Sequence, residues 1–369
     1  LASCAPQPVP TGSLLAEMAD LARLARHPGP GVRVVQFSSY DRRSSLPGGP
    51  EWFGNSDGFG SEPIPNFESV AKAPGPDGLG EYVICDITQP GALVRTWTAA
   101  MGGTIRVALD GQPWYEGPAD QFLMHRATWC AKQAGLDPAG LTSSEQRYAD
   151  YFPIPFAKSC RITWLGKLTE VHFYHVQARL YPPGTAVQTY TPADPKTFRE
   201  QLAANAAALK PALNPNSRAA EVTLAPGERK DVSTLTGPGE IFGLRARVRG
   251  ASPDAALRGT LLRISFDGFP SPQVLCPLGD FFGAAPGIVP FDSLPLSVAP
   301  DGWMASRWVM PYQKSAVISL ENHTAAPVTV DLAAQGRDAP WDDRSMHFRA
   351  RWRTEHDLTA KGGNDAVDL

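Results

Sequence analysis

The stretch PFAKSCRIT (155–163) returns later in the chain as PYQKSAVIS (311–319), and the reading of that repeat decides the fold. Each copy holds a proline, an aromatic, a Lys-Ser pair and an alternating apolar tail. Either the Lys-Ser pair is chemistry used twice, or the phrase marks equivalent places in two copies of one domain. On a strand, adjacent side chains point to opposite faces, so Lys158 and Ser159, or Lys314 and Ser315, cannot meet there as base and nucleophile.

The surroundings of the phrase favour duplication. In TIRVALDG (104–111), Ile105, Val107 and Leu109 alternate with Arg106 and Ala108 before Asp110-Gly111. In LLRISFDG (261–268), Leu262, Ile264 and Phe266 alternate in the same way before Asp267-Gly268. Period-two alternation running into Asp-Gly predicts a strand and a hairpin turn. Upstream, Thr88, Pro90 and Gly91 match Thr236, Pro238 and Gly239, and Arg106 and Pro113 match Arg263 and Pro270. Further on, Pro118 and Asp120 echo Pro277 and Asp280. An ordered series at nearly constant offset is the mark of a duplicated domain.

The composition sets the class. The 369 residues hold 34 Gly and 36 Pro, spread between short apolar runs, which favours β-sandwiches over helices. At a net charge of -3 there is no electrostatic case for nucleic-acid binding. No apolar run reaches the roughly 18 residues of a membrane span. The expected fold is therefore all-β: two tandem jelly-roll β-sandwich units, at 80–192 and 215–358. A helix at 13–28, with Ser13 as cap and Pro28 as stop, precedes an irregular arm that runs to residue 79. A second helix at 195–210 lies within the segment 193–214, which ends in a linker. Residues 1–12 and 359–369 read as tails.

Chemistry-bearing motifs are few. HExxH, GxSxG, CxxC and a phosphate-binding glycine loop do not occur, and no cofactor is expected. Two stretches are left unexplained by the duplication. EWFGNSDGFG (51–60) gathers Trp52, Asn55 and Asp57 in an irregular arm, aromatic and amide or carboxylate groups of the kind that stack on sugars and bond their hydroxyls. GDFFGAAPG (279–287) places Asp280, Phe281 and Phe282 after the second hairpin, where the first copy has only DQF. Arg307 and Trp308 could reach the same place. MHFRARWR (346–353) alternates Met346, Phe348, Ala350 and Trp352 with His347, Arg349, Arg351 and Arg353, a pattern read as a solvated basic strand face. Cys85, Cys130, Cys160 and Cys276 read as buried thiols. LASC (1–4) resembles a bacterial lipobox, in which Cys4 would carry the lipid and tie the protein to a cell envelope or periplasm; otherwise it is secreted.

The combination of EWFGNSDGFG, CPLGDFFG (276–283), RWVMPYQKSAVISLEN (307–322) and YFPIPFAKSCRIT (151–163) resembles the large bacterial form of glycoside hydrolase family 172. The resemblance runs from about residue 30 to 356. It implies jelly-roll β-sandwiches, assembly as trimers or multiples of trimers, and a carbohydrate ligand. It further implies cleavage of arabinofuranosides or fructofuranosides by retention, with two glutamates. The family places those glutamates in Gly-Glu-Gly-Asp-Glu and Gly-Thr-Gly-Thr-Glu-Asp-Tyr runs, and neither occurs here. The expectation is that they follow downstream of DLTAKGGNDAVDL (357–369), in a further jelly roll. Trp52, Asn55, Asp57, Asp280, Phe281, Phe282 and Arg307 are then candidates for sugar binding and not for bond cleavage. The competing expectation is a non-catalytic carbohydrate-binding or assembly module of tandem jelly rolls.

Overall fold

In chain order the strands of the first sandwich are β1 (Arg33–Ser38), β2 (Ser69–Lys72), β3 (Leu79–Ile87), β4 (Gly91–Met101), β5 (Thr104–Leu109), β6 (Gln112–Pro118), β7 (Glu145–Gln146), β8 (Ala149–Asp150), β9 (Ile154–Phe156), β10 (Cys160–Lys167) and β11 (Val171–Leu180). They come from a computed structural model that describes residues 8–47, 49, 66–138, 144–208, 217–250, 253–285 and 287–357. One sheet has the order β1-β11-β4-β8-β7, with β9 also paired to β4; the other has the order β2-β3-β10-β5-β6.

The second sandwich repeats this wiring. Its strands are β12 (Ala220–Leu224), β13 (Arg229–Thr236), β14 (Gly239–Val248), β15 (Thr260–Phe266), β16 (Val274–Pro277), β17 (Phe291–Asp292), β18 (Leu296–Val298), β19 (Met304–Ser306), β20 (Met310–Tyr312), β21 (Ser315–Asn322), β22 (Val328–Asp338) and β23 (Ala350–Arg351). The sheets run β12-β22-β14-β19-β18-β17, with β20 beside β14, and β13-β21-β15-β16-β23. Strand for strand, β3-β10-β5-β6 corresponds to β13-β21-β15-β16, and β1-β11-β4-β8 to β12-β22-β14-β19. Successive strands passing between two sheets in this order make a jelly roll. In the second unit Leu244, Ala246, Val330 and Leu332 of one sheet share a core with Leu262, Ile264, Phe266 and Ile318 of the other.

The repeated phrase is the crossing between the sheets. Its aromatic sits opposite a glycine of the central strand, Gly91 against Phe156 and Gly239 against Tyr312. A Cβ on Gly91 would lie 2.7 Å from the Phe156 ring, and one on Gly239 2.7 Å from the Tyr312 hydroxyl, so only glycine fits. The chain then enters the second sheet as β10 or β21. At the crossing, Asp110 accepts from the backbone N–H groups of Lys158 (2.7 Å), Ser159 (2.9 Å) and Ala157 (3.3 Å), and from the Thr189 hydroxyl. Asp267 accepts from Lys314 (2.6 Å), Ser315 (3.0 Å) and Gln313 (3.1 Å), and lies 2.7 Å from Nε2 of His347. Both aspartates occupy the left-handed region, at φ 52 and 55, where Asp is tolerated at the head of an Asp-Gly turn. Lys158, Ser159 and Lys314 thus lie in the connecting loop, and Ser315 is the first residue of β21. What ties them down is the aspartate, through their backbone.

Two expectations need correction. Residues 29–79 are not wholly irregular, since β1 and β2 lie there. Both are edge strands, and β2 is exposed at all four residues, so no in-out alternation marks it. The helix expected at 13–28 is divided into α1 (Thr11–Met18) and a 3-10 turn at Leu21–Ala25. The Asp20 carboxylate takes the N–H of Ala22 at 3.0 Å and restarts the chain, as a local acceptor does when it competes with the helix. Ser13 lies inside the first turn and donates to the carbonyl of Pro10. Met18–Gly29 belongs to one compact unit with Ala207–His356, and the described residues before Met18 belong with Pro30–Ala206.

Helices accompany the strands of the first sandwich. α2 (Ala119–Met124) and α3 (Arg126–Gln133) follow β6, while α4 (Asp194–Thr197) and α5 (Arg199–Ala208) occupy the predicted second helix. Arg126 is wholly buried and holds the Thr96 hydroxyl at 2.8 Å and the Phe152 carbonyl at 2.7 Å, 3.5 Å from the Asp150 carboxylate. Asp150 in turn accepts from the N–H groups of Ala127 and Phe152, both at 2.6 Å. Burial pushes its carboxyl up to about 6, against the pull of Arg126 and those two donors.

Candidate functional site

The site forms where GDFFG leaves β16 in the second sandwich. Two short helices, α6 (Asp254–Gly259) and α7 (Leu278–Phe282), pack here. A Cβ on Gly279 would lie 2.9 Å from the Ala284 carbonyl oxygen and 2.9 Å from Cβ of Leu257, so glycine is what lets the two helices approach. Gly283 closes α7 in the left-handed conformation, its N–H turned back on the carbonyls of Asp280 and Gly279. Between the two glycines, Phe282 is fully buried in the core, while Asp280 and Phe281 face a cavity of about 320 Å³.

Cys276, Asp280, Phe281, Trp308, Phe348, Ala350, Arg351 and Trp352 line that cavity. The Phe348 ring lies 6.3 Å from Phe281 and 6.0 Å from Trp308. Arg258, from α6, lies 3.2 Å from Oδ1 of Asp280, with its guanidinium 5.4 Å from the centre of the Trp352 ring. Oδ2 of Asp280 is buried and has no hydrogen-bond partner among the described residues. A buried carboxylate oxygen without a donor costs about 1–3 kcal/mol, which a ligand hydroxyl would recover. Burial, then the charge of Asp280, pushes the Cys276 thiol up to about 12, so it stays protonated and is no nucleophile. Aromatic walls with one oriented carboxylate suit a ring that has an apolar face and hydroxyl edges.

Of the expected site residues, Asp280 and Phe281 meet here. Phe282 does not reach the cavity: the short helix turns it inward, where it packs edge-on against Phe281 at 5.1 Å. Arg307 is occupied elsewhere, donating to the carbonyl of Ser293 at 3.1 Å and to the Ser297 hydroxyl at 3.1 Å; its neighbour Trp308 faces the cavity instead. Trp52, Asn55, Asp57 and Cys4 lie outside the described residues. The match of Asp120 to Asp280 shifts by one. Measured from the helix-leading prolines Pro118 and Pro277, which have nearly the same conformation, Asp280 stands where the first unit has Gln121. Phe348 and Trp352 were overlooked as cavity residues, although the period-two apolar face of MHFRARWR was the signal. Arg258 left no signal, because nothing in its local sequence places it beside Asp280.

The four described cysteines are buried and free. Among the described residues, no helix is long and apolar enough to cross a membrane.

Two family descriptions match the chain: GH172 first beta-sandwich domain over residues 30–198, and GH172 domain-like over residues 214–333. No curated protein matches. Among solved structures, the major capsid protein of bacteriophage PM2 is 9% identical, with a TM-score of 0.20 over 77% of this chain and 98% of its own. A conserved protein of unknown function from Pseudomonas aeruginosa is 12% identical, with a TM-score of 0.15 over 72% of this chain and 95% of its own.

Proposed function

Because the chain belongs to glycoside hydrolase family 172, with its two sandwiches matched separately, we propose that these units bind the glycan on which a furanoside-cleaving hydrolase acts. The observation that carries this reading is the Asp280 cavity: an aromatic wall and a buried carboxylate oxygen that lacks a donor. Asp280 is the one carboxylate among the cavity's lining residues. A retaining mechanism needs two carboxyls about 5–5.5 Å apart, so this cavity is proposed to hold sugar and not to cut it. The arabinofuranoside or fructofuranoside class, and retention through glutamates outside these two units, come from the family resemblance.

Titration of the full chain with arabinofuranosyl and fructofuranosyl oligosaccharides tests the reading. Asp280→Asn and Trp352→Ala are each expected to weaken binding about tenfold, since each removes a charge-assisted bond or a stacking face. Unchanged affinity in both variants would overturn the assignment. These 369 residues alone are expected to release no sugar from an aryl arabinofuranoside or fructofuranoside. Turnover would put the bond-breaking groups within them.

A further inference from the structure

The segment 346–353 has a second face. While Phe348, Ala350 and Trp352 line the Asp280 cavity, Arg349 and Arg351 line a separate cleft of about 290 Å³ with Phe269, Pro270, Ser271, Pro272 and Gln273. We propose that this cleft binds the carboxylate of an acidic saccharide, with the sugar ring against Phe269 and the prolines and the carboxylate held by Arg349 and Arg351.

The charge in the cleft is uncompensated. Among the described residues, no acidic residue lines it. Among the described residues Arg349 has no carboxylate partner, whereas Arg258 is paired with Asp280 and Arg353 with Glu355. The nearby Asp267 is already saturated by three backbone N–H groups and His347. Arg351 is held in place by its bond to the Pro272 carbonyl at 2.6 Å. Phe269 is 52% exposed, yet its ring is fixed edge-on to His347 at 5.6 Å. Two guanidinium groups beside a fixed aromatic and two prolines suit a planar carboxylate attached to a ring, because guanidinium and carboxylate match in a two-bond geometry. Arg351 also lines the Asp280 cavity, so one oligosaccharide can engage both faces of the segment.

The inference rests on the glycan-binding reading, and the experiment separates the two. The full chain is titrated with a uronate-containing oligosaccharide, with its neutral counterpart, and with inorganic phosphate. The uronate is expected to bind about five- to tenfold tighter than the neutral sugar, a gap that narrows as salt is raised. Arg349→Gln, at an exposed position, should remove that gap and leave the neutral affinity unchanged; Arg351→Lys should reduce it. If the neutral sugar binds and Trp352→Ala weakens it while the uronate shows no preference, the inference falls and the glycan site stands. If neither sugar binds, both fall. A uronate preference that survives Arg349→Gln overturns the assignment of the cleft. Phosphate binding as tight as the uronate overturns the saccharide.

Discussion

At the scale of single residues, Asp110 and Asp267 explain why one phrase is written twice. Each carboxylate gathers three backbone N–H groups of the crossing loop, and its own N–H returns to the carbonyl of Ser159 or Ser315 at 2.8 Å. Asp110→Ala would leave those donors unpaired and is expected to cost about 2–4 kcal/mol in urea unfolding. Asp110→Asn should cost less, because it keeps one acceptor oxygen and tolerates the left-handed backbone. Burial pushes both carboxyls up, but the bonds from Thr189 and the loop in one, and from the loop and His347 in the other, outweigh it and hold both below the usual value of 3.8. Their stabilisation is therefore complete above that value and lost as pH falls below it through the lowered folded values. Acid titration of the Asp110→Asn, Asp267→Asn variant should lack this part of the unfolding slope. The Asp-Gly turns and the Lys-Ser pairs were both legible in the sequence. Their bond to each other was not, because the partners stand nearly fifty positions apart and meet only after the chain changes sheets.

At the scale of elements, buried charge and close packing decide what local pattern leaves open. Arg126 on α3 and Asp150 on β8 form an ion pair with no exposed atoms, and the guanidinium also holds the Phe152 carbonyl and the Thr96 hydroxyl. Asp150→Ala would leave Arg126 buried without a counter-charge and is expected to cost about 3–5 kcal/mol. Arg126→Met with Asp150→Leu should cost less than that single change, a comparison that denaturant midpoints can make. Gly279→Ala would drive α6 from α7 and is expected to cost about 1–3 kcal/mol. The same variant should weaken glycan binding, because Arg258 and Asp280 lie on the two helices it separates. Central strands such as β5 and β15 were readable because one face is core and the other is not. The edge strands β1 and β2 were hidden because they bury little, and the first helix was misread because Leu spacing outweighed the cap at Asp20.

At the scale of the molecule, the duplication shows as two jelly rolls, each with its own pair of sheets. Phe266 is completely buried among both sheets of the second unit, and Phe266→Ala is expected to cost about 3–5 kcal/mol. Hydrogen exchange should then rise first in Thr260–Phe266 and Ser315–Asn322, ahead of Cys160–Lys167 in the first unit. The same split separates what could be read from what could not. Period-two alternation, Asp-Gly turns and the doubled phrase determined central strands such as β5 and β15, the sandwich class and the number of units, because side-chain direction along a strand depends only on position along the chain. The cavity draws on residues 276, 280, 281, 308, 348 and 350–352, with Arg258 beside Asp280, so it is built from two helices, a strand end, a loop and the segment that follows β22. Which faces meet is set by the crossing of the sheets and the approach of α6 to α7, so the tertiary structure alone decided that Asp280 shares a cavity with Trp308 and Trp352 and that Phe282 does not.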